Sequence, residues 1–213
     1  MKTEGQIAQD LVDLVGAHYY SEDFELLALV RAYRDGLDEV ERERLCGVVL
    51  RRMLDEGSLV DILLCSLVHA PSAGSLLAAR LDRETEPSQL TRALISALQH
   101  YEGDDVFRAL ARFVDSDQER EATQALARVD FPRAAPYVIR ALRQDQHLDL
   151  CLHILRDRSL AKGLAALAAD LAALAALDPA ALPARLALAL RSKRDRYNPF
   201  AEEEIVFLLA ALR

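Results

Sequence analysis

A chain of 213 residues with 26 basic and 34 acidic side chains has a net charge of −8, the wrong sign for a nucleic-acid binder of the ordinary basic type. Hydrophobic residues make up 52%, much of it Ala and Leu, aromatics only 6%, and Trp is absent; with 8 Gly and 7 Pro this is a helical composition with little room for a sheet. No segment sustains an alternation of β-branched and polar residues, so the chain is expected to be all-α.

The hydrophobic periodicity predicts helices at about 4–19, 22–34, 38–55, 58–69, 72–82, 88–101, 104–114, 117–129, 132–143, 147–157, 159–177, 180–193 and 199–212. Breaks fall at Gly36, Gly57, Pro71, Pro87, Gly103, Pro132, Pro179 and Pro199. The opening run MKTEGQIAQDLVDLV has acids where a signal peptide has its apolar stretch. The most apolar region, Leu164 to Leu177, is interrupted by Asp170 and is short for a membrane span. Cys46, Cys65 and Cys151 lie inside apolar helical patterns and read as reduced thiols used as small hydrophobes. A soluble protein of the cytoplasm is expected.

One stretch sets the architecture. In FVDSDQEREATQALARVDFPRAAPYVIRALRQD, Ser116 is positioned to cap a helix running to Val129, with Asp117, Glu119 and Glu121 at the positive end of its dipole. Ala122, Ala125, Leu126 and Val129 form one apolar stripe. Pro132 suits the first turn of a second helix, and Pro136 lies close enough to that start to be tolerated. The Ala125-Leu126 pair has counterparts at Leu67-Val68, Ala97-Leu98 and Ile154-Leu155, in steps of 30, 28 and 29 residues. Helix pairs recurring at such a step point to an α-solenoid, because one pair cannot bury both of its faces alone.

The run Asp115-Ser116-Asp117, Arg120, Ala122, Ala125-Leu126-Ala127, Pro132, Ala135-Pro136 and Ala141-Leu142 resembles a HEAT-type repeat, close to the short bacterial kind also found in phycobilin lyase-like proteins. The resemblance extends over residues 87–157. It implies a superhelix of stacked antiparallel helix pairs. On this reading residues 1–213 form a single helical domain, with cap-like helices over 1–57, HEAT-like repeats over 58–157 and C-terminal helices over 158–213. Leu160, Leu164, Leu167, Leu171 and Leu174 make a heptad-like seam, read as the buried side of an inner helix rather than a dimerising coiled coil.

Catalytic and cofactor signatures are missing from the sequence: there is no glycine-rich phosphate loop, paired CxxC, HExxH or GxSxG. No cofactor and no metal is expected. Acid clusters at Glu22-Asp23, Asp104-Asp105 and Glu202-Glu203-Glu204 sit where helix dipoles favour negative charge. His147 and Cys151 are four apart, with His153 nearby, but two ligands without a clear third fit a buried structural role better than a metal site. His69 and His100 end successive first helices and are placed to meet as neighbours. The basic run Arg191-Ser192-Lys193-Arg194-Asp195-Arg196-Tyr197 closes a helix, where its dipole favours cations.

In HEAT-like stacking the second helix of each pair lines the concave surface. What the resemblance therefore implies is a column of Arg80, Arg112 and Arg140 on that surface, with Arg108 and Arg143 one turn away and Tyr137 beside them. Guanidinium groups in a row suit carboxylates or phosphates. The competing reading is that each arginine pairs internally, with acids such as Asp82 or Asp115. The expectation is a non-enzymatic protein–protein interaction scaffold that takes an acidic partner surface in its groove. The alternative is a HEAT-like DNA-binding protein or DNA glycosylase-type enzyme, against which the negative charge and the lack of Trp speak. A lyase for tetrapyrrole attachment rests on the repeat resemblance alone.

Overall fold

The computed structural model describes residues 1–18, 23–55, 57–144, 148–191 and 198–212, with the side chains of 16–18 and 23–27 left aside. The described residues form thirteen helices and no strand. They are α1 (Glu4–His18), α2 (Asp23–Asp35), α3 (Glu39–Asp55), α4 (Leu59–Val68), α5 (Ala73–Leu81), α6 (Gln89–Leu98), α7 (Asp104–Ala111), α8 (Glu119–Val129), α9 (Phe131–Arg143), α10 (Leu148–Lys162), α11 (Leu164–Leu177), α12 (Leu182–Arg191) and α13 (Glu202–Ala210). Each corresponds to one segment expected from periodicity. Among the described residues no helix is long and apolar enough to cross a membrane.

The helix starts follow from local chemistry. Ser58 caps α4 in a closed box: its hydroxyl accepts the Asp61 N–H, and the Asp61 carboxylate accepts the Ser58 N–H at 3.1 Å. Asp61 is fully buried and also accepts from Arg52 Nε at 3.0 Å. Ser88 and Thr91 form the equivalent box at α6. Asp130 caps α9 by accepting the Arg133 N–H at 3.2 Å, with Pro132 in the first turn. The helix continues through Pro136, which leaves the Pro132 carbonyl without its usual intrahelical donor.

Two local expectations are corrected. Ser116 is not the cap of α8, which begins at Glu119 after Gln118. Its hydroxyl instead accepts the Gln118 N–H at 3.1 Å within the preceding turn. The break expected after residue 157 lies at Gly163, whose φ of +88 is a left-handed conformation that other residues avoid. Leu160 therefore belongs to the end of α10 and is 71% exposed. The leucine seam is confined to α11, where Leu167, Leu171 and Leu174 are buried and Leu164 is half-buried.

The chain divides into two compact units, Met1–Ala109 and Leu110–Arg213. In the first, α1 and α2 pack together, α3 packs on α1 and α4, and α6 packs on both α4 and α5. In the second, α8 packs on α9 and α10, α9 and α10 each meet α11 and α12, and α13 lies against α11 and α12. All eight residues of the recurring pairs, Leu67-Val68, Ala97-Leu98, Ala125-Leu126 and Ile154-Leu155, are buried. The first unit contains twenty acidic residues against eleven basic ones, and the second fourteen against fifteen, so the whole of the negative excess belongs to the first.

Candidate functional site

Arg80 and Arg108 belong to the first unit; Arg112, Tyr137, Arg140 and Arg143 belong to the second. Arg80, in the last turn of α5, holds its Nε 3.3 Å from Glu84 Oε1. That nitrogen is buried and makes no directed hydrogen bond, so the contact is one of charge alone. Arg80 thus meets an acid of its own segment, Glu84. Arg108 turns back on its own helix, with Nε donating to the Asp104 carbonyl at 3.3 Å. The Arg112 guanidinium lies 6.0 Å from the centroid of the Phe113 ring.

Helix α9 brings Tyr137, Arg140 and Arg143 onto one element. Arg140 is a structural bracket. Its Nη1 donates to Asp115 at 2.7 Å, and its Nη2 donates to Glu119 at 3.1 Å and to the Val114 carbonyl. It ties α9 to the turn before α8, the internal pairing that competed with the groove reading. Arg143 is different: it meets Asp178 at 3.2 Å but stays 61% exposed. Tyr137 is half-buried.

The remaining candidates separate clearly. The His69 and His100 rings meet edge-to-face with centroids 5.6 Å apart, as their positions at the ends of α4 and α6 led one to expect. His69 is the C-cap of α4 in a left-handed conformation, and burial, then Arg34 and Arg31, hold its pKa below the ordinary value. Cys151 is buried, and that burial, then Asp149, pushes its thiol up to about 12. His147, Glu22 and residues 192–197 lie outside the described residues, while Arg191 is exposed at the end of α12. Among the described residues no three His, Cys, Asp or Glu side chains are grouped to hold a metal ion.

Sequence reading missed a constellation around Lys2. The Lys2 ammonium donates to Asp10 Oδ2 at 2.7 Å and lies 4.7 Å from the centroid of the Tyr33 ring. The Tyr33 hydroxyl donates to the same oxygen at 2.7 Å. The Lys2 backbone N–H donates to the Glu41 carboxylate, and its carbonyl accepts from Arg44 Nη1 at 2.6 Å. Those bonds hold the Asp10 and Glu41 carboxyls below the usual carboxylate range, led by the Lys2 side chain for Asp10 and the Lys2 backbone for Glu41. The one sequence signal was Asp38 three residues before Glu41, the spacing of a capping box.

No protein-family model, curated protein or solved structure matches this chain.

Proposed function

We propose that the chain is a non-enzymatic protein-interaction module of the cytoplasm, built as a HEAT-type α-solenoid and binding a partner that presents an acidic surface. The observation that supports the repeat architecture in this reading is the register between α8 and α10. Arg120 on α8 reaches Asp149 on α10, and Arg128 reaches Asp157, each twenty-nine residues further along the chain. That interval equals the step between Ala125-Leu126 and Ile154-Leu155. A residue that meets the position one period later is what stacking of successive repeats produces. The His69–His100 contact, thirty-one residues apart, falls within one residue of the thirty-residue step between Leu67-Val68 on α4 and Ala97-Leu98 on α6. Unbridged cysteines support a reducing compartment.

Within this reading α9 divides its labour. Arg140 is spent on the scaffold, whereas Arg143 and Tyr137 are the groups offered to a partner carboxylate. Stacked helices hold such groups on a nearly rigid frame, which lowers the ordering cost of association.

The test is affinity capture from nuclease-treated lysate at two salt concentrations. Wild type is compared with a Tyr137→Ala/Arg143→Glu variant of unchanged helical content. A protein retained by wild type and lost by the variant supports the reading. Equal recovery by both overturns the assignment to α9. Nucleic acid recovered without nuclease treatment and removed by salt turns the reading to DNA binding.

A further inference from the structure

We propose that Asp10 of α1, Tyr33 of α2, and Glu41 and Arg44 of α3 form a lysine-reading peptide site, filled in cis by Lys2, that accepts a lysine-bearing extended segment of a basic partner protein once Lys2 leaves. The site belongs to the first unit and stands apart from the α9 reading, so either can fail without the other.

The argument begins with how completely one residue is read. Lys2 lies ahead of α1, so its backbone groups are not committed to a helix. Its N–H goes to Glu41, its carbonyl takes Arg44, and its ammonium takes Asp10. Main-chain donor, main-chain acceptor and side-chain charge are each met by a different side chain. This is how an extended peptide is held, with backbone bonds supplying hold and a side-chain receptor supplying choice. The receptor suits lysine: a compact ammonium meets one carboxylate oxygen and an aromatic face together. Only three of the 26 basic residues are lysine, so lysine at this position is not the default of the chain.

Three of the receptor groups, Asp10, Tyr33 and Glu41, are also held by partners other than Lys2. The second Glu41 oxygen accepts the Asp38 N–H at 3.1 Å, while Asp38 accepts the Glu41 N–H at 2.9 Å. That capping box fixes the carboxylate at the start of α3 whether or not Lys2 is bound. Tyr33 is fixed by its hydrogen bond to Asp10. Removing Lys2 therefore leaves the ammonium receptor and the Glu41 acceptor preformed, the condition under which a second ligand binds without first ordering them. The present occupant is open to exchange, since the Lys2 and Asp10 side chains are 44% and 36% exposed. The first unit supplies the matching field: its acidic excess attracts basic segments and repels acidic ones, nucleic acid included.

The test uses the full chain and N-acetyl-lysine methylamide, which carries the same N–H, carbonyl and ammonium as Lys2. Binding is followed by saturation-transfer NMR. The Lys2→Ala variant frees Asp10 and Tyr33 and leaves only the main-chain bonds of residue 2 for the probe to displace. It is expected to bind the probe at millimolar concentration, at least tenfold more tightly than wild type. Adding Asp10→Asn abolishes binding, and N-acetyl-norleucine methylamide, which lacks the ammonium, does not bind. A folded Lys2→Ala variant that binds the probe no better than wild type, or takes both probes equally, overturns the proposal.

A second measurement needs no variant. Wild type labelled with 15N-lysine gives one backbone amide signal for each of Lys2, Lys162 and Lys193. Adding the probe is expected to move the Lys2 signal alone. An unmoved Lys2 signal at saturating probe overturns the proposal even if Lys2→Ala does not fold.

Discussion

Arg120 on α8 donates to the Asp149 carboxylate on α10 across 2.7 Å. The two side chains are 47% and 25% exposed, so water screens much of the attraction. A double-mutant cycle with Arg120→Ala and Asp149→Ala should give a coupling of about 0.2–1 kcal/mol that shrinks with added salt. Asp157 also accepts from Gln124 Nε2 at 2.8 Å besides Arg128, so it serves two donors. Asp157→Ala, which removes the acceptor of both bonds, is expected to lower the urea midpoint more than Gln124→Ala, which removes one donor. Equal midpoints would show that the Arg128 bond adds nothing.

Close packing singles out Gly74 on α5. A Cβ built there would lie 2.9 Å from Tyr101 Cβ and 3.1 Å from Tyr101 Cγ. The tyrosine has little freedom to retreat, because its hydroxyl donates to the Cys65 carbonyl on α4. Gly74→Ala should therefore destabilise by about 1–3 kcal/mol, the usual cost of overpacking. Gly5, in the first turn of α1, has no atom within 4 Å of the same position. Gly5→Ala should be neutral or stabilise by up to about 1 kcal/mol through helix propensity. Denaturant titration of both variants checks the contrast.

The pH dependence of the first unit should carry a signature of His69. Burial, and then Arg34 and Arg31, depress its pKa below 6.5 in the folded state. The folded protein thus binds this proton less readily than the unfolded chain. The contribution is intact above pH 6.5 and is lost as pH falls from there through the lowered folded value. NMR titration should place the His69 midpoint below 6.5, and His69→Asn should lose less stability than wild type between pH 7.5 and pH 5. Asn suits the substitution because it tolerates the left-handed conformation of this cap, φ 54. A His69 midpoint at or above 6.5 would contradict the argument.

The thiols should react in a fixed order. Burial, with Asp61 and Cys46 adding to it, pushes Cys65 up to about 12, and burial pushes Cys151 to about the same value. Cys46 is raised as well but is only half-buried. Since the thiolate is the reactive form, a maleimide at pH 8 should label Cys46 first, and slowly. Cys65 and Cys151 should remain unlabelled until denaturant is added. Peptide mapping by mass spectrometry gives the order.

Much of the fold was legible because helices announce themselves locally. The apolar pairs that recur near every thirty residues all proved buried, although the one cap read from sequence, Ser116, sits in the turn before α8. Gly163 was misread because the apolar pattern runs across it without interruption: only its backbone conformation separates α10 from α11. The candidate arginines were legible as charges but not as roles. Arg140 and Arg143 lie one turn apart on one helix, and what distinguishes them is the position of Asp115 and Glu119, on other segments of the fold. The Lys2 site was illegible for the same reason: its parts come from α1, α2 and α3 and share no spacing rule.

The unequal partition of acidic and basic residues between the units makes ionic strength a selective control on melting. Self-repulsion opposes compaction where like charge accumulates, and dissolved salt weakens it over a screening distance of about 10 Å at 0.1 M. The first unit, with its surplus of acids, should gain thermal resistance as salt is added, whereas the nearly balanced second unit should respond little. Calorimetric scans across a salt series would then move one half of the chain against a fixed reference supplied by the other.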